Sequence, residues 1–252
     1  MGKYDQWHRL AGALAGRGTS VQEARYPEVL LREMARTLQD MTEEQWGYYA
    51  FSREPLEGKF TEEQKLAYTL HANACGREWA GRVAAQCGSR SPREIARSLG
   101  LQIRTPDSPA GGGQGVFAQF LPPDEITIFM DCVSRAGEIC REAGCALLQR
   151  ELLFDVLLAH ELFHVIEERH SDEIYTRTEK VELWRRPFSN RSAIACLSEI
   201  AAMAFAQELL GTSCSPYVLD VLLIYSYDRE AAWGLYDEIC MLAGGEKERE
   251  QC

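Results

Sequence analysis

The stretch that most constrains this chain is Leu152–His170, LLFDVLLAHELFHVIEERH. Between Leu152 and Ile166 only Asp155, His160, Glu161 and His164 are polar. An apolar run of this length without turn residues predicts a helix buried on most of its faces. Three ionisable groups inside such a helix need partners, because unpaired buried charge is costly.

His160-Glu161-Leu162-Phe163-His164 is an HExxH sequence. Residues four apart on a helix lie about 40° apart around the axis and about 6 Å along it. Both imidazoles can therefore face one metal ion, and Glu161 lies within reach of a water on that ion. Two neutral imidazoles as ligands and a carboxylate as general base is the arrangement of a zinc hydrolase. Asp155 falls on another face of the helix and has no role in this reading.

A catalytic zinc usually has three protein ligands and a water. Two residues are candidates for the third. Between Ala193 and Ala206 the only polar residues are Ser198 and Glu199. A lone carboxylate on so apolar a helix needs a cation, which a metal or an arginine such as Arg191 would supply. His170, ten residues after His160, has metzincin spacing. Metzincins, however, leave the helix at a glycine, where this chain has Glu167. If the helix continues, His170 lies about 9 Å along the axis from His164 and cannot share its metal. Glu199 is therefore preferred. The pairs Glu161/His164 and Glu167/His170 also read as ExxH, but di-iron bundles place such pairs on separate helices.

Net charge is −11, which argues against direct nucleic-acid or anionic-membrane binding, since phosphate contacts rely on Lys and Arg. The first residues lack the apolar core of a signal peptide, and no uncharged run approaches ~20 residues, so no membrane span is expected. Nine cysteines without a CxxC read as mostly structural thiols of a reduced, cytoplasmic protein.

Helices are expected over Tyr4–Leu14 and Pro27–Leu38. Thr42-Glu43-Glu44-Gln45 and Thr61-Glu62-Glu63-Gln64 read as capping boxes, the second opening a long helix to about Gly88. A short helix from Ser91 closes at Gly100. Leu101–Arg104, Val116–Phe120 and Ile126–Met130 read as strands, the last two joined through Leu121-Pro122-Pro123-Asp124. Gly111–Gly115 reads as a loop. Helices follow at Asp131–Gly144, Ser192–Leu210, Pro216–Ser226 and Arg229–Leu242, and residues 171–190 read as a surface loop.

HELFH, followed by Glu199-Ile200-Ala201-Ala202-Met203-Ala204-Phe205-Ala206-Gln207-Glu208-Leu209-Leu210, resembles the ImmA/IrrE-like metallopeptidases. Their pattern is HExxH, then a helix reading roughly E-x-E-A-N/D-x-F-A-x-x-L-L. Ile95–Ile103 resembles the family's helix into its first strand, and the resemblance covers about residues 65–212. It implies an α+β gluzincin: a mostly helical zincin-like core with a small three-stranded, mainly antiparallel sheet packed on the HExxH helix. It also implies a bacterial or phage origin, one bound zinc ion, and cleavage of a regulatory protein such as a helix-turn-helix repressor. His160, His164 and Glu199 match the zinc ligands and Glu161 the catalytic base. Ala201 and Met203 depart from the pattern: the family commonly has Glu and Asn or Asp there, and Met203 cannot hydrogen-bond a ligand histidine.

On this basis residues 61–244 form the metallopeptidase domain, 1–60 an N-terminal helical extension and 245–252 a frayed tail. By analogy with related zincins, a substrate strand pairs with Gly115–Phe120, which makes Val116, Phe117 and Ala118 substrate-binding positions. Tyr175, His170 and Arg191 are candidate oxyanion donors by position. The rival expectation is a metal-bound interaction module with little turnover, motivated by Met203.

Overall fold

A computed structural model describes residues 30–107, 117–184 and 190–244. The expected helix at Tyr4–Leu14, the Gly111–Gly115 loop, Val116 and the tail 245–252 lie outside the described residues. The elements are α1 (Leu31–Gln39), α2 (Glu43–Ser52), α3 (Glu62–Cys87), α4 (Pro92–Ser98), β1 (Gln102–Arg104), β2 (Ala118–Leu121), β3 (Glu125–Ile128), α5 (Met130–Ala143), α6 (Arg150–Arg169), α7 (Tyr175–Thr178), β4 (Lys180–Trp184), β5 (Asn190–Ala193), α8 (Cys196–Leu210), α9 (Val218–Tyr225) and α10 (Arg229–Ala243). The fold is α+β and mostly helical.

Local chemistry sets many of these boundaries. Thr42 and Thr61 each accept from the backbone N–H three residues on, and Gln45 and Gln64 return the bond, so both capping boxes are complete. Gly88, Gly144 and Gly211 end α3, α5 and α8 with φ of 65–67°, a backbone state that costs other residues energy.

The three-stranded sheet has the order β1-β3-β2 and is mixed rather than mainly antiparallel. β2 and β3 are joined by the turn at Pro122-Pro123-Asp124, and so short a connection forces them antiparallel, with Phe120 opposite Ile126. The longer connection after β1 frees that strand to pair parallel with β3, Ile103 opposite Ile126. The described part of the expected surface loop is not irregular: α7 forms at Tyr175–Thr178, and β4 pairs with β5 as a second, two-stranded sheet. α8 accordingly starts at Cys196, four residues later than the pattern predicts.

One apolar core runs from Leu31 through Ile239, so α1 and α2 are built into it with the later helices. α6 lies at its centre, packed against α8 on one side, β2 and β3 on another, and α4 and α5 around the rest. That explains why every residue from Val156 to Glu167 is buried. Arg93 of α4 pairs with Asp155 at 3.0 Å on the rim, which accounts for the acidic residue inside the apolar run that the sequence reading left without a role. The largest helix contact is between α3 and α8. At their crossing a Cβ on Gly76 would stand 2.1 Å from the Ala201 carbonyl oxygen and 2.9 Å from the Phe205 nitrogen. The two backbones touch, which only glycine facing the small residues of α8 allows.

Candidate metal centre

α6 continues through Arg169, so His160 and His164 sit one turn apart on the same face. Their Nε2 atoms are 3.1 Å apart and both are buried. α8 crosses this face, and Glu199 in its first turn reaches both rings. Its Oε2 is 3.3 Å from His160 Nε2, and its Oε1 is 3.7 Å from His164 Nε2. Among the described residues this is the one group of His, Cys, Asp or Glu whose ligand atoms converge on a point, all within 4.8 Å of one another.

Ligands about 2.0–2.1 Å from one tetrahedral ion stand roughly 3.3 Å apart. The donor set and its spacing therefore fit a divalent ion such as zinc. The fit is also electrostatic. Two imidazole nitrogens 3.1 Å apart repel as a pair of acceptors, and a cation or a proton between them removes the conflict. In the metal-free protein the proton takes that part: burial disfavours charged His164, but Glu167, Glu199 and Glu161 outweigh it and push its pKa up to about 9.

Glu199 is held by the start of its helix. The partial positive charge of the first turn of α8 favours a carboxylate there. That first turn is fixed by Glu54, a buried carboxylate just after α2. Its Oε2 accepts from the Cys196 N–H at 3.0 Å and its Oε1 from the Leu56 N–H at 3.1 Å. Two chain segments far apart in sequence thus set the position of one candidate ligand.

Glu161 lies beside the centre, 4% exposed. Burial raises its pKa, while His160 and His164 pull it down. Its carboxylate accepts from the backbone N–H of Phe120 in β2. Phe129 N–H donates to the Phe117 carbonyl across the hairpin, so the alternation of antiparallel pairing turns Ala118 and Phe120 outward. β2 is an edge strand of its sheet, and its outward groups face the centre.

The other expected positions divide. Phe117 and Ala118 line a small apolar cavity with His160, Glu161, Met203 and Leu219. Met203 thus forms an apolar wall in place of the polar partner expected from the family pattern. Tyr175 packs its ring on His71 of α3. His170 lies 4.5 Å from the Trp79 ring and its Nδ1 is 2.7 Å from Glu173; it is outside the converging group because α6 does not break before it. Arg191 is exposed on β5 opposite Glu182.

Four participants were given no role at the centre by the sequence reading: Glu54, the Phe120 N–H, Ser198 and Glu167. Ser198 Oγ is 3.3 Å from His164 Nδ1 and donates to Glu167 Oε2 at 2.9 Å. Glu167 is 1% exposed. Burial would raise its pKa, but His164, Arg177 and Thr176 outweigh that and hold it below the ordinary value. One signal was available: Glu167 stands three residues after His164, on the same face of one helix.

No helix of the described residues is long and apolar enough to cross a membrane, and the eight described cysteines are free thiols. No family model, curated protein or solved structure matches this chain.

Proposed function

We propose that the chain is a zinc-dependent metalloendopeptidase of the ImmA/IrrE-like, gluzincin type. Its substrate would be a protein or peptide, and the resemblance suggests a regulatory protein such as a helix-turn-helix repressor. The observation that carries this reading is the convergence of His160 Nε2, His164 Nε2 and the Glu199 carboxylate, with Glu161 alongside. Zinc, when bound, supplies a Lewis acid and a water acidic enough to ionise near neutral pH.

The remaining work falls to this chain's own groups. Glu161 takes the proton of the attacking water and returns it to the leaving amine. Its elevated pKa suits that exchange, because a base of ordinary carboxylate strength would take the proton from water less readily and hold it less well for the amine. The outward edge of β2 offers backbone groups at Ala118 to an extended peptide. The cavity beside His160 and Glu161, walled by Phe117, Met203 and Leu219, accepts an apolar side chain.

The test is cleavage of a proteome-derived peptide library by the zinc-loaded protein and by Glu161→Gln. The wild type should cut with an aliphatic preference next to the bond. The variant should keep its zinc and lose roughly 10²–10⁴-fold in rate. A variant that cuts at the wild-type rate removes Glu161 as the base. A zinc-loaded wild type that cuts nothing, including co-encoded repressors, supports the interaction module instead.

A further inference from the structure

Met203 leaves His164 without the polar partner that the family pattern would place on α8. A different arrangement occupies that position. His164 Nδ1 faces the Ser198 hydroxyl at 3.3 Å, and Ser198 stands one residue before Glu199 on the same helix. The hydroxyl donates its only hydrogen to Glu167 Oε2 at 2.9 Å. A hydroxyl that has given its hydrogen away can only accept from the ring, so Nδ1 carries a proton and the neutral ring keeps its lone pair on Nε2. Nε2 is the atom that points at His160 and Glu199.

The far end of the relay is fixed as well. Glu167 Oε1 accepts from Thr176 Oγ1 at 2.6 Å, and Oε2 lies 3.3 Å from an Arg177 guanidinium nitrogen. Both residues belong to α7, the short turn that leads into the β4–β5 hairpin. Glu167 is therefore satisfied from three elements: its own helix, α8 and α7. A carboxylate this buried and this fully bonded does not rotate freely.

We propose that Ser198 and Glu167 are positioning residues that lock His164 in its metal-binding tautomer, and that α7 is latched to the centre through the same carboxylate. This rests on the metal-centre reading above. Supporting partners of ligand histidines commonly change metal affinity by roughly 10–100-fold. Here the relay runs through a hydroxyl on the helix that carries the third ligand, so one side chain orients His164 while its neighbour supplies the carboxylate.

The experiment is a double-mutant cycle on zinc affinity, read by competition with a chromophoric chelator. It uses the full-length protein as wild type, Ser198→Ala, Glu167→Gln and the double variant, with Ser198→Thr as a conservative control. Circular dichroism of each metal-free protein monitors the fold. Ser198→Ala leaves the Thr176 and Arg177 contacts of Glu167 in place, so it probes the link without unfastening α7. Each single change should weaken zinc binding by roughly 10–100-fold. The double should be no weaker than Glu167→Gln alone, and Ser198→Thr should stay within a few-fold of wild type. The cobalt-loaded variants should show a shifted visible spectrum.

Wild-type affinity in Ser198→Ala and Glu167→Gln would overturn the relay while leaving the metal centre standing. Losses that add in full in the double variant would also overturn it, because the two residues would then act separately. A wild type that binds neither zinc nor cobalt overturns the metal reading itself, and the relay with it.

Discussion

Among the described residues, two groups of buried ionisable side chains are built on opposite plans. In the first, His160, His164 and Glu199 turn their ligand atoms toward one point between α6 and α8, with Glu161 beside them. In the second, between α2 and α9, Tyr49 donates to Asp220 Oδ2 at 2.9 Å while Tyr217 stacks on Trp46. There the groups are matched pairwise or not at all: among the described residues Asp220 Oδ1 and Tyr217 Oη have no hydrogen-bond partner. Both regions carry raised carboxyl pKa values, Glu161 in one and Asp220 in the other, with burial as the largest cause in each. Burial of charge alone therefore does not mark a functional site. What sets the first region apart is the convergence of several ligand atoms on one point.

The sharpest way to break this contrast is to remove one member of the converging group. Glu199→Ala should lower zinc affinity by more than the roughly 100-fold that a lost supporting partner can cost. His170→Ala should leave it unchanged, since His170 packs on Trp79 instead. Metal content of the two purified variants decides this. Loss in His170→Ala alone would show that α6 breaks early and that the third ligand is misassigned.

The next effect comes from pH. His164 in the metal-free protein has its pKa raised to about 9, so below that value zinc must displace a proton. Affinity should fall about tenfold for each unit of acidification below about 9 and level off above it. Isothermal titration at several pH values reads the slope, and a flat profile from pH 6 to 9 would contradict the sign.

The cavity wall lies between the two regions, because Met203 of α8 and Leu219 of α9 share it, and Leu219 precedes Asp220. Met203→Ala should shift preference toward a bulkier substrate side chain by roughly tenfold. An unchanged cleavage profile would place the specificity elsewhere.

The smallest expected effect is on the second region. Asp220 has a folded pKa of about 7, above its usual 3.8, so the folded state holds a proton that the unfolded chain releases. Its favourable contribution is complete below about pH 4 and is lost as pH rises to about 7. Asp220→Asn stays neutral throughout. It should raise stability at pH 8 by on the order of 1 kcal/mol, about 2–4 °C in a protein of this size, and do little at pH 4. Zinc affinity should not move. A variant destabilised at pH 8 would mean that the carboxylate, not the acid, is what Tyr49 requires.

The parts of this architecture that were legible in the sequence are those governed by neighbours along the chain. Thr42 and Thr61 cap their helices because the partner Gln is three residues away. His160 and His164 share a face because a helix repeats every 3.6 residues. Glu199 was legible for a different reason, as a single carboxylate in an apolar helix that had to be matched by something. What escaped depends on chain segments meeting from afar. Val181 and Leu183 alternate with Lys180 and Glu182, a strand pattern, but it is short and its partner β5 is polar. The parallel pairing of β1 with β3 has no local signal. Ser198 and Glu167 are unremarkable until α6 and α8 cross, and Glu54 gains its role only when α2 delivers it to the start of α8.

Gly76 carries no reactive atom and belongs to a helix that supplies no ligand. Yet the distance between α3 and α8 is fixed by its missing methyl group, to a margin smaller than one carbon atom. Glu199 stands two residues before the carbonyl that Gly76 touches. The reach of that carboxylate toward the histidines is thus gauged from behind, by a spacer of zero thickness. A side chain there would act as a shim, moving the whole ligand helix as one rigid piece. The tolerance of the centre is set on the side of α8 that faces away from it.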